Sequence, residues 1–178
     1  LVQGIGHVGE TLVHHLTKEG ALVQITDLNQ GRLEEVSAKY GASIFTGADL
    51  YSADVDIYSP CALGATVNDE TINKLKAKVI AGAASNQLAN DAVHGQILKD
   101  KGIVYAPDFL INAGGIINVY AEIVGYDSTE AMRRTENIYN TTLEILNSAK
   151  ENGITTQDAA MRMAQKRIDE KVKENATK

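Results

Sequence analysis

Three glycines, Gly4, Gly6 and Gly9, stand in the run Leu1-Val2-Gln3-Gly4-Ile5-Gly6-His7-Val8-Gly9, and Asp27 closes the apolar run Ala21-Leu22-Val23-Gln24-Ile25-Thr26. Residues of these types in this order suit a ligand that carries a pyrophosphate and a ribose. Gly4 permits the backbone angles of a tight turn. Gly6 lets a pyrophosphate lie against the main chain, and Gly9 lets a following helix pack close to the strand. The free N–H groups at the helix start, with the helix dipole, then hold the phosphate charge. A carboxylate at Asp27 accepts hydrogen bonds from both hydroxyls of an adenosine ribose and repels a 2′-phosphate, which favours NAD over NADP. Acids in this position also serve S-adenosylmethionine and FAD domains, so these residues alone leave the cofactor open.

The elements that position these residues follow from periodicity. A buried strand ends at Gly4, and a helix follows with Val8, Leu12, Val13 and Leu16 on one face and Gly20 as its stop. The next strand runs into Asp27. Asn29 is placed to cap a helix from Gln30, with Leu33, Val36 and Tyr40 inward and Gly41 at its end. Further strands are predicted at 43–45, 55–59 (stopped by Pro60), 78–81 and 103–105. Between them lie a short helix capped by Asn68, carrying Ile72 and Leu75, and a helix from Asp91 with Val93, Ile97 and Leu98 apolar. Strands alternating with helices predict an α/β fold, a Rossmann-type doubly wound, mostly parallel sheet with helices on both faces.

From Asn112 onward the pattern is helical only, so the sheet is followed by C-terminal helices. Helices are predicted over 116–124, from Thr129 to Gly153 with a stripe of Ile138, Thr142, Ile145 and Ala149, and from Thr155 with a stripe of Met161, Ala164, Ile168 and Val172. The stripes predict core packing, and the charged stretch 170–178 predicts a solvated, frayed end. The expected division is a dinucleotide-binding domain over 1–125 and a helical segment over 126–178.

With 178 residues the chain is long enough for a full α/β core. Its net charge of −6, without a Lys/Arg cluster, argues against a nucleic-acid partner. The one cysteine, Cys61, excludes an internal disulfide and fits a reducing cytoplasm. No apolar run approaches the roughly 20 residues of a membrane span. No His/Cys/Asp spacing suggests a metal site. Leu1 falls inside the first predicted strand and is not an initiator methionine, so the chain is expected to be part of a longer one.

Three loops at predicted strand ends carry small residues that let backbone approach a ligand. They are Pro60-Cys61-Ala62-Leu63-Gly64, Ala81-Gly82-Ala83-Ala84-Ser85-Asn86-Gln87-Leu88, and Pro107 to Asn118 with its Ile111-Asn112-Ala113-Gly114-Gly115 core. With these loops the sequence resembles the NAD-binding domain of the glutamate/leucine/phenylalanine/valine dehydrogenases, and most of all its leucine members. The stretches PCALGA, NQL, GIVYAPDFLINAGG and INV carry the resemblance, which runs from Gly4 to about Gly125.

The resemblance implies roles residue by residue. Gly4, Gly6, His7, Val8 and Gly9 match the phosphate loop, and Asp27, with Leu28 beside it, the adenosine-ribose acid. Cys61, Ala62 and Leu63 match the loop beside the adenosine half and the nicotinamide-side ribose. Ala83, Ala84 and Ser85 match the loop that meets the nicotinamide end, and Asn112 the asparagine that faces both nicotinamide and substrate. Ile116 and Val119 match positions lining the amino-acid side-chain pocket. Three apart on a helix they share a direction, and two branched apolar residues suit an aliphatic side chain. His7 and Ser85 stand where the leucine members often carry asparagine, which predicts altered affinity with function kept. On spacing alone Asn112 is equally a helix cap, Asp108 a turn residue and Cys61 a small buried residue without a partnered base. His14, His15 and His94 are surface or packing positions.

For the reaction, the resemblance implies oxidative deamination of a branched-chain L-amino acid, leucine foremost, with valine and phenylalanine as alternatives. Hydride passes to the nicotinamide, and the imine is hydrolysed to the 2-oxo acid and ammonia. The family's lysine base, carboxylate-binding lysine and proton-shuttling aspartate belong to an N-terminal domain, so no catalytic residue is assigned among these positions. The chain alone is expected to bind NAD without turnover, and the full-length protein to be a homo-oligomer. A short-chain dehydrogenase would need Tyr-x-x-x-Lys, which none of the seven tyrosines provides. A non-enzymatic NAD-sensing regulatory domain would keep the glycine loop and Asp27 but has no use for PCALG or INAGG. A methyltransferase would share only the glycine loop and the acid.

Overall fold

A computed structural model describes residues 1–125 and 127–176; Tyr126 and the last two positions of the charged terminal stretch lie outside that description. The chain divides into two compact units, Leu1–Asn112 and Ala113–Lys178. The first unit runs β1 (Val2–Gln3), α1 (His7–Lys18), β2 (Gln24–Thr26), α2 (Gln30–Tyr40), β3 (Ser43–Ile44), β4 (Ile57–Pro60), β5 (Val79–Ile80), α3 (Asp91–Asp100), β6 (Val104–Tyr105) and the short α4 (Asp108–Ile111). Its strands form one sheet in the order β3-β2-β1-β4-β5-β6, with every adjacent pair parallel. This is the doubly wound order, and the winding reverses between β1 and β4.

The pleat of the strands sorts the core into two clusters. Leu1 and Phe45 pack with Tyr58, Ile80, Leu98 and Tyr105, whereas their neighbours Val2 and Ile44 pack with Val13, Ile25, Leu33 and Val36. Successive strand residues point to opposite faces, so α1 and α2 cover one face. On the other face lie α3 and the 66–75 segment that contributes Val67 and Ile72. Val13, Ile25, Val36 and Ile80 are fully buried, and each such side chain contributes roughly 1.5–3 kcal/mol. This doubly wound α/β unit is the fold expected from the alternation of strands and helices.

Local details differ from the periodic reading, each for a physical reason. Residues 68–74 form turns, not a helix. Asn68 Oδ1 accepts from the amides of Glu70 and Thr71, and Thr71 Oγ1 accepts from the Asn68 amide and donates to the Thr66 carbonyl. Such side-chain bonds satisfy backbone groups locally and compete with helix. Pro60 does not stand outside β4 but forms its last residue, paired in register with Gln3. Val8 and Val93 are exposed; the buried positions are Gly9 and the expected Val13 on α1, and His94, Gly95 and the expected Leu98 on α3. His94 is held by two bonds: its Nδ1 accepts from the Asn90 amide, and its Nε2 lies 3.1 Å from Asp69 Oδ1.

The second unit is helical: α5 (Gly114–Val124), α6 (Ser128–Glu136), α7 (Ile138–Asn152) and α8 (Thr156–Ala176). The helix expected from Thr129 to Gly153 is interrupted at Asn137. That residue keeps helical angles, and hydrogen bonds span it from Asn137 N to Arg133 O and from Thr141 N to Asn137 O. The buried stripe of α7 is Thr141, Ile145 and Ala149. On α8 the expected core stripe is corrected: Met161, Ile168 and Val172 are exposed, and Ala159 and Ala160 are buried. The buried residues of α8 are thus small alanines near its start. Among the described residues no helix is long and apolar enough to cross a membrane.

Glu10 ties α1 to α2. Its carboxylate accepts from Lys39 Nζ (2.9 Å), Arg32 Nη2 (2.5 Å) and the Tyr40 hydroxyl (3.1 Å). The Lys39 and Arg32 cations hold its carboxyl at about 2, below its ordinary 4.5. A carboxylate depressed by folding stabilises the fold above its unfolded value, and that contribution is lost as pH falls. The stability difference between wild type and Glu10→Gln is therefore expected to be level above pH 4.5 and to close between 4.5 and about 2. Chemical denaturation across that range measures it, and a difference that widens on acidification would contradict the assignment.

Candidate functional site

The candidate residues of the first unit gather at the carboxyl ends of β1, β2, β4 and β5, around the point where the winding reverses. Gly4 takes φ +90°, and its amide donates to the Thr26 carbonyl at 2.8 Å, which joins the ends of β1 and β2. A Cβ at Gly4 would stand 2.7–2.9 Å from Ala62, so the glycine loop and the 61–64 loop are packed directly together. A Cβ at Gly9 would enter the Gly4 carbonyl, 3.0 Å from its carbon and 3.5 Å from the Cys61 Cβ. Gly6 is different: a Cβ there meets nothing within 4 Å. Gly4 and Gly9 thus close the turn, whereas Gly6 borders open space.

Gly6 is also the residue at the cap position of α1, and it makes no side-chain cap bond. Asn29, Asn90 and Asp127 cap α2, α3 and α6 through their side chains. The start of α1 therefore keeps first-turn N–H groups without a side-chain acceptor, an arrangement that suits an anion. His7 and Val8 are exposed beside it. Asp27 is drawn onto the same loop. Its Oδ2 accepts from the Ile5 amide at 2.8 Å and its Oδ1 from the Asn29 amide at 2.9 Å. Burial opposes ionisation of this carboxyl, but the Asn29 and Ile5 amides outweigh it and hold the group below its ordinary value. A carboxylate has about four acceptor positions, so both oxygens keep capacity for hydroxyl donors. Leu28, next to it, is fully exposed.

The other two loops meet each other. A Cβ on Gly64 would stand 2.6 Å from the Ser85 carbonyl, and the Ala65 amide donates to the Asn86 carbonyl at 2.6 Å. Ala65 and Asn86 are both left-handed, at φ 56° and 53°, a conformation that costs a non-glycine residue energy and persists where neighbours enforce it. The Cys61 thiol is pushed up by burial and accepts from the Ala83 amide at 3.4 Å, so it is a packing group in contact with the Ala83 loop. Ala62, Leu63 and Ser85 are exposed, and Ala84 is buried with its amide on the Pro60 carbonyl. Asn112 Nδ2 donates to Ser85 Oγ at 3.2 Å and reaches the Ala83 carbonyl at 3.5 Å. Its amide closes α4 on the Asp108 carbonyl. Asn112 thus ends α4 through its amide and meets the Ser85 loop through its side chain. Ile116 and Val119 lie on α5 in the second unit, and both are exposed.

Two residues with a structural part in this site are not identifiable from spacing. Gln87 is fully buried, and its Nε2 donates to the carbonyls of Gly82 (2.6 Å) and Ala84 (2.9 Å). Asp108, also buried, accepts from the Gln87 amide at 2.7 Å. Together they clamp the turn that presents Ala83, Ala84 and Ser85. Truncation as Gln87→Ala strips two buried carbonyls of their donor, and a lost buried partner costs about 1–3 kcal/mol. A drop of roughly 4–8 °C in Tm is expected, read by thermal melting; an unchanged Tm would contradict the clamp. Among the described residues no group of three or more His, Cys, Asp or Glu side chains could hold a metal.

The profile described as Glutamate/Leucine/Phenylalanine/Valine dehydrogenase matches residues 21–176. An L-tryptophan dehydrogenase of Nostoc punctiforme is 49% identical over 167 residues, covering 94% of this chain and 47% of its own length. A leucine dehydrogenase of Bacillus cereus is 50% identical over 167 residues, covering 94% of this chain and 45% of its own. The crystal structure of the Nostoc punctiforme L-tryptophan dehydrogenase superposes with a TM-score of 0.91 at 48% identity, over 95% of this chain and 51% of that one. The chain thus spans about half the length of the curated relatives it matches. By sequence over most of its length and by its doubly wound sheet, this chain belongs to the glutamate/leucine/phenylalanine/valine dehydrogenase family.

Proposed function

We propose that this chain is the NAD-binding part of an amino-acid dehydrogenase that oxidatively deaminates a branched-chain L-amino acid, leucine foremost. The observation that carries the proposal is the joined pair at the sheet's reversal point: the uncapped start of α1 behind Gly6, and the Asp27 carboxylate docked on the same loop through the Ile5 amide. NAD, when bound, supplies the hydride acceptor. Gly4, Gly6, His7, Val8 and Gly9 would seat its pyrophosphate, and Asp27 with Leu28 the adenosine ribose. Cys61, Ala62 and Leu63 would border the adenosine half and the second ribose. Ala83, Ala84, Ser85 and Asn112 would hold the nicotinamide end. Asn112, Ile116 and Val119 are the proposed substrate contacts. The functional division at 125–126 belongs to the same proposal.

The catalytic lysines and aspartate would come from a domain outside these residues, in a cytoplasmic homo-oligomer. The match to about half of each relative supports the further domain. A second reading is favoured by the relative named for tryptophan, whose identity to this chain nearly equals that of the leucine relative: an aromatic amino acid as substrate. A regulatory NAD sensor is not favoured, because the PCALG and INAGG stretches sit within a dehydrogenase match.

Calorimetric titration with NAD and with NADP tests the cofactor. Saturable NAD binding with much weaker NADP binding supports the proposal, and no binding of either overturns it. Turnover by the intact protein on leucine, valine, phenylalanine and tryptophan sorts the substrates. Leucine oxidation by these 178 residues alone would overturn the placement of the catalytic groups elsewhere.

A further inference from the structure

We propose that Glu10 sets cofactor selectivity by holding the Arg32 guanidinium away from the position where a ribose 2′-phosphate would meet Asp27. The inference rests on the NAD reading above and concerns a residue outside the glycine loop. Arg32 lies in the first turn of α2, with its amide capped by Asn29 Oδ1 at 3.1 Å. Its Nη2 reaches the Ile5 carbonyl at 3.4 Å, while the Ile5 amide is held by Asp27. The guanidinium therefore sits one residue from the carboxylate end that would receive the ribose. An arginine in this neighbourhood is the side chain that accommodates a 2′-phosphate in dinucleotide folds, through a planar fork that matches phosphate oxygens.

That fork is already occupied. Nη2 donates to Glu10 at 2.5 Å and Nη1 to Glu35 at 2.7 Å. The two carboxylates differ in how firmly they are held. Glu10 is 17% exposed and is also engaged by Lys39 and Tyr40, whereas Glu35 is 57% exposed and lies on the same helix as Arg32. An exposed pair of the second kind exerts little hold. Glu10 is thus the fixed partner. Without its charge the guanidinium is free to turn toward a phosphate that Asp27 otherwise repels, and NAD loses part of its advantage.

The test is the ratio of NADP to NAD dissociation constants, measured by calorimetry on the protein and on four variants whose folding is checked by thermal melting. Glu10→Gln is expected to narrow the ratio about tenfold, the effect of one charge-assisted hydrogen bond to a phosphate. In an Arg32→Ala background the same Glu10→Gln change is expected to leave the ratio within twofold. Lys39→Met, which leaves the Glu10 charge with its Tyr40 and Arg32 bonds in place, is also expected to leave it unchanged. The inference is overturned if Glu10→Gln moves the ratio less than twofold, if the narrowing persists without Arg32, or if Lys39→Met reproduces it. A wild type that binds NAD selectively while the variants fail confines the failure to this inference; a wild type that does not bind NAD overturns both.

Discussion

Asp27→Ala is expected to weaken NAD binding on the order of 100-fold, because a hydrogen bond to a charged group contributes about 1.5–3 kcal/mol and two ribose hydroxyls are involved. NADP binding should change far less, since the same substitution removes the repulsion of the 2′-phosphate. The preference between the cofactors should therefore largely collapse. Asp27 also accepts from the Ile5 and Asn29 amides, so part of the alanine effect passes through a loosened loop. Asp27→Asn separates the two contributions. Its remaining side-chain oxygen keeps an acceptor for one of those amides, and about a tenfold loss of NAD affinity is expected from the missing charge. Calorimetry on both variants measures this. NAD binding that survives Asp27→Ala at wild-type strength would remove Asp27 from the ribose site.

The second large effect separates two glycines that look equivalent in the sequence. Gly9→Ala forces a methyl group into the Gly4 carbonyl, backbone against helix. Neither side can turn aside as a flexible side chain would. Overpacking of this kind costs about 1–3 kcal/mol and occasionally more, and a backbone obstacle belongs at the upper end. The corresponding fall in Tm is roughly 6–12 °C. Gly6→Ala has the opposite profile. Gly6 has φ −62° and open space around its missing Cβ, so stability should stay within about 0.5 kcal/mol of wild type. NAD affinity should nevertheless fall at least about tenfold, because the methyl would occupy the surface proposed for the pyrophosphate. Thermal melting paired with calorimetry reads both variants. A stable Gly9→Ala, or a Gly6→Ala that binds NAD normally, would contradict the assigned division of labour.

The same contrast shows where sequence and tertiary structure part company. The glycine turn, the first helix, the strand ending at Asp27 and the cap at Asn29 were all legible because each depends on residues close in the chain. Hydrophobic alternation was enough for the doubly wound class, since strands separated by helices pair in parallel. Periodicity was less informative about which apolar residues are buried. Val8, Val93, Met161 and Ile168 are exposed, and Gly9, Gly95, Ala159 and Ala160 are buried. A tight helix approach selects small residues, which no hydrophobic stripe reveals.

By itself, the sequence determined that a glycine turn precedes α1 and that an acid, Asp27, directly follows β2. Only the tertiary structure decided that Asp27 docks on the Ile5 amide, that Asn112 meets Ser85, that Gln87 and Asp108 clamp the turn carrying Ala83, Ala84 and Ser85, and that Glu10 holds Arg32. The partners in these contacts lie 21 to 27 positions apart, apart from Gln87's own loop. Their meeting depends on the order in which β1, β2, β4, β5 and β6 are laid side by side. Local propensity carries no record of that order. It is set by which strand edges pair and which helix faces are buried, and the side chains that converge there are chosen by the sheet.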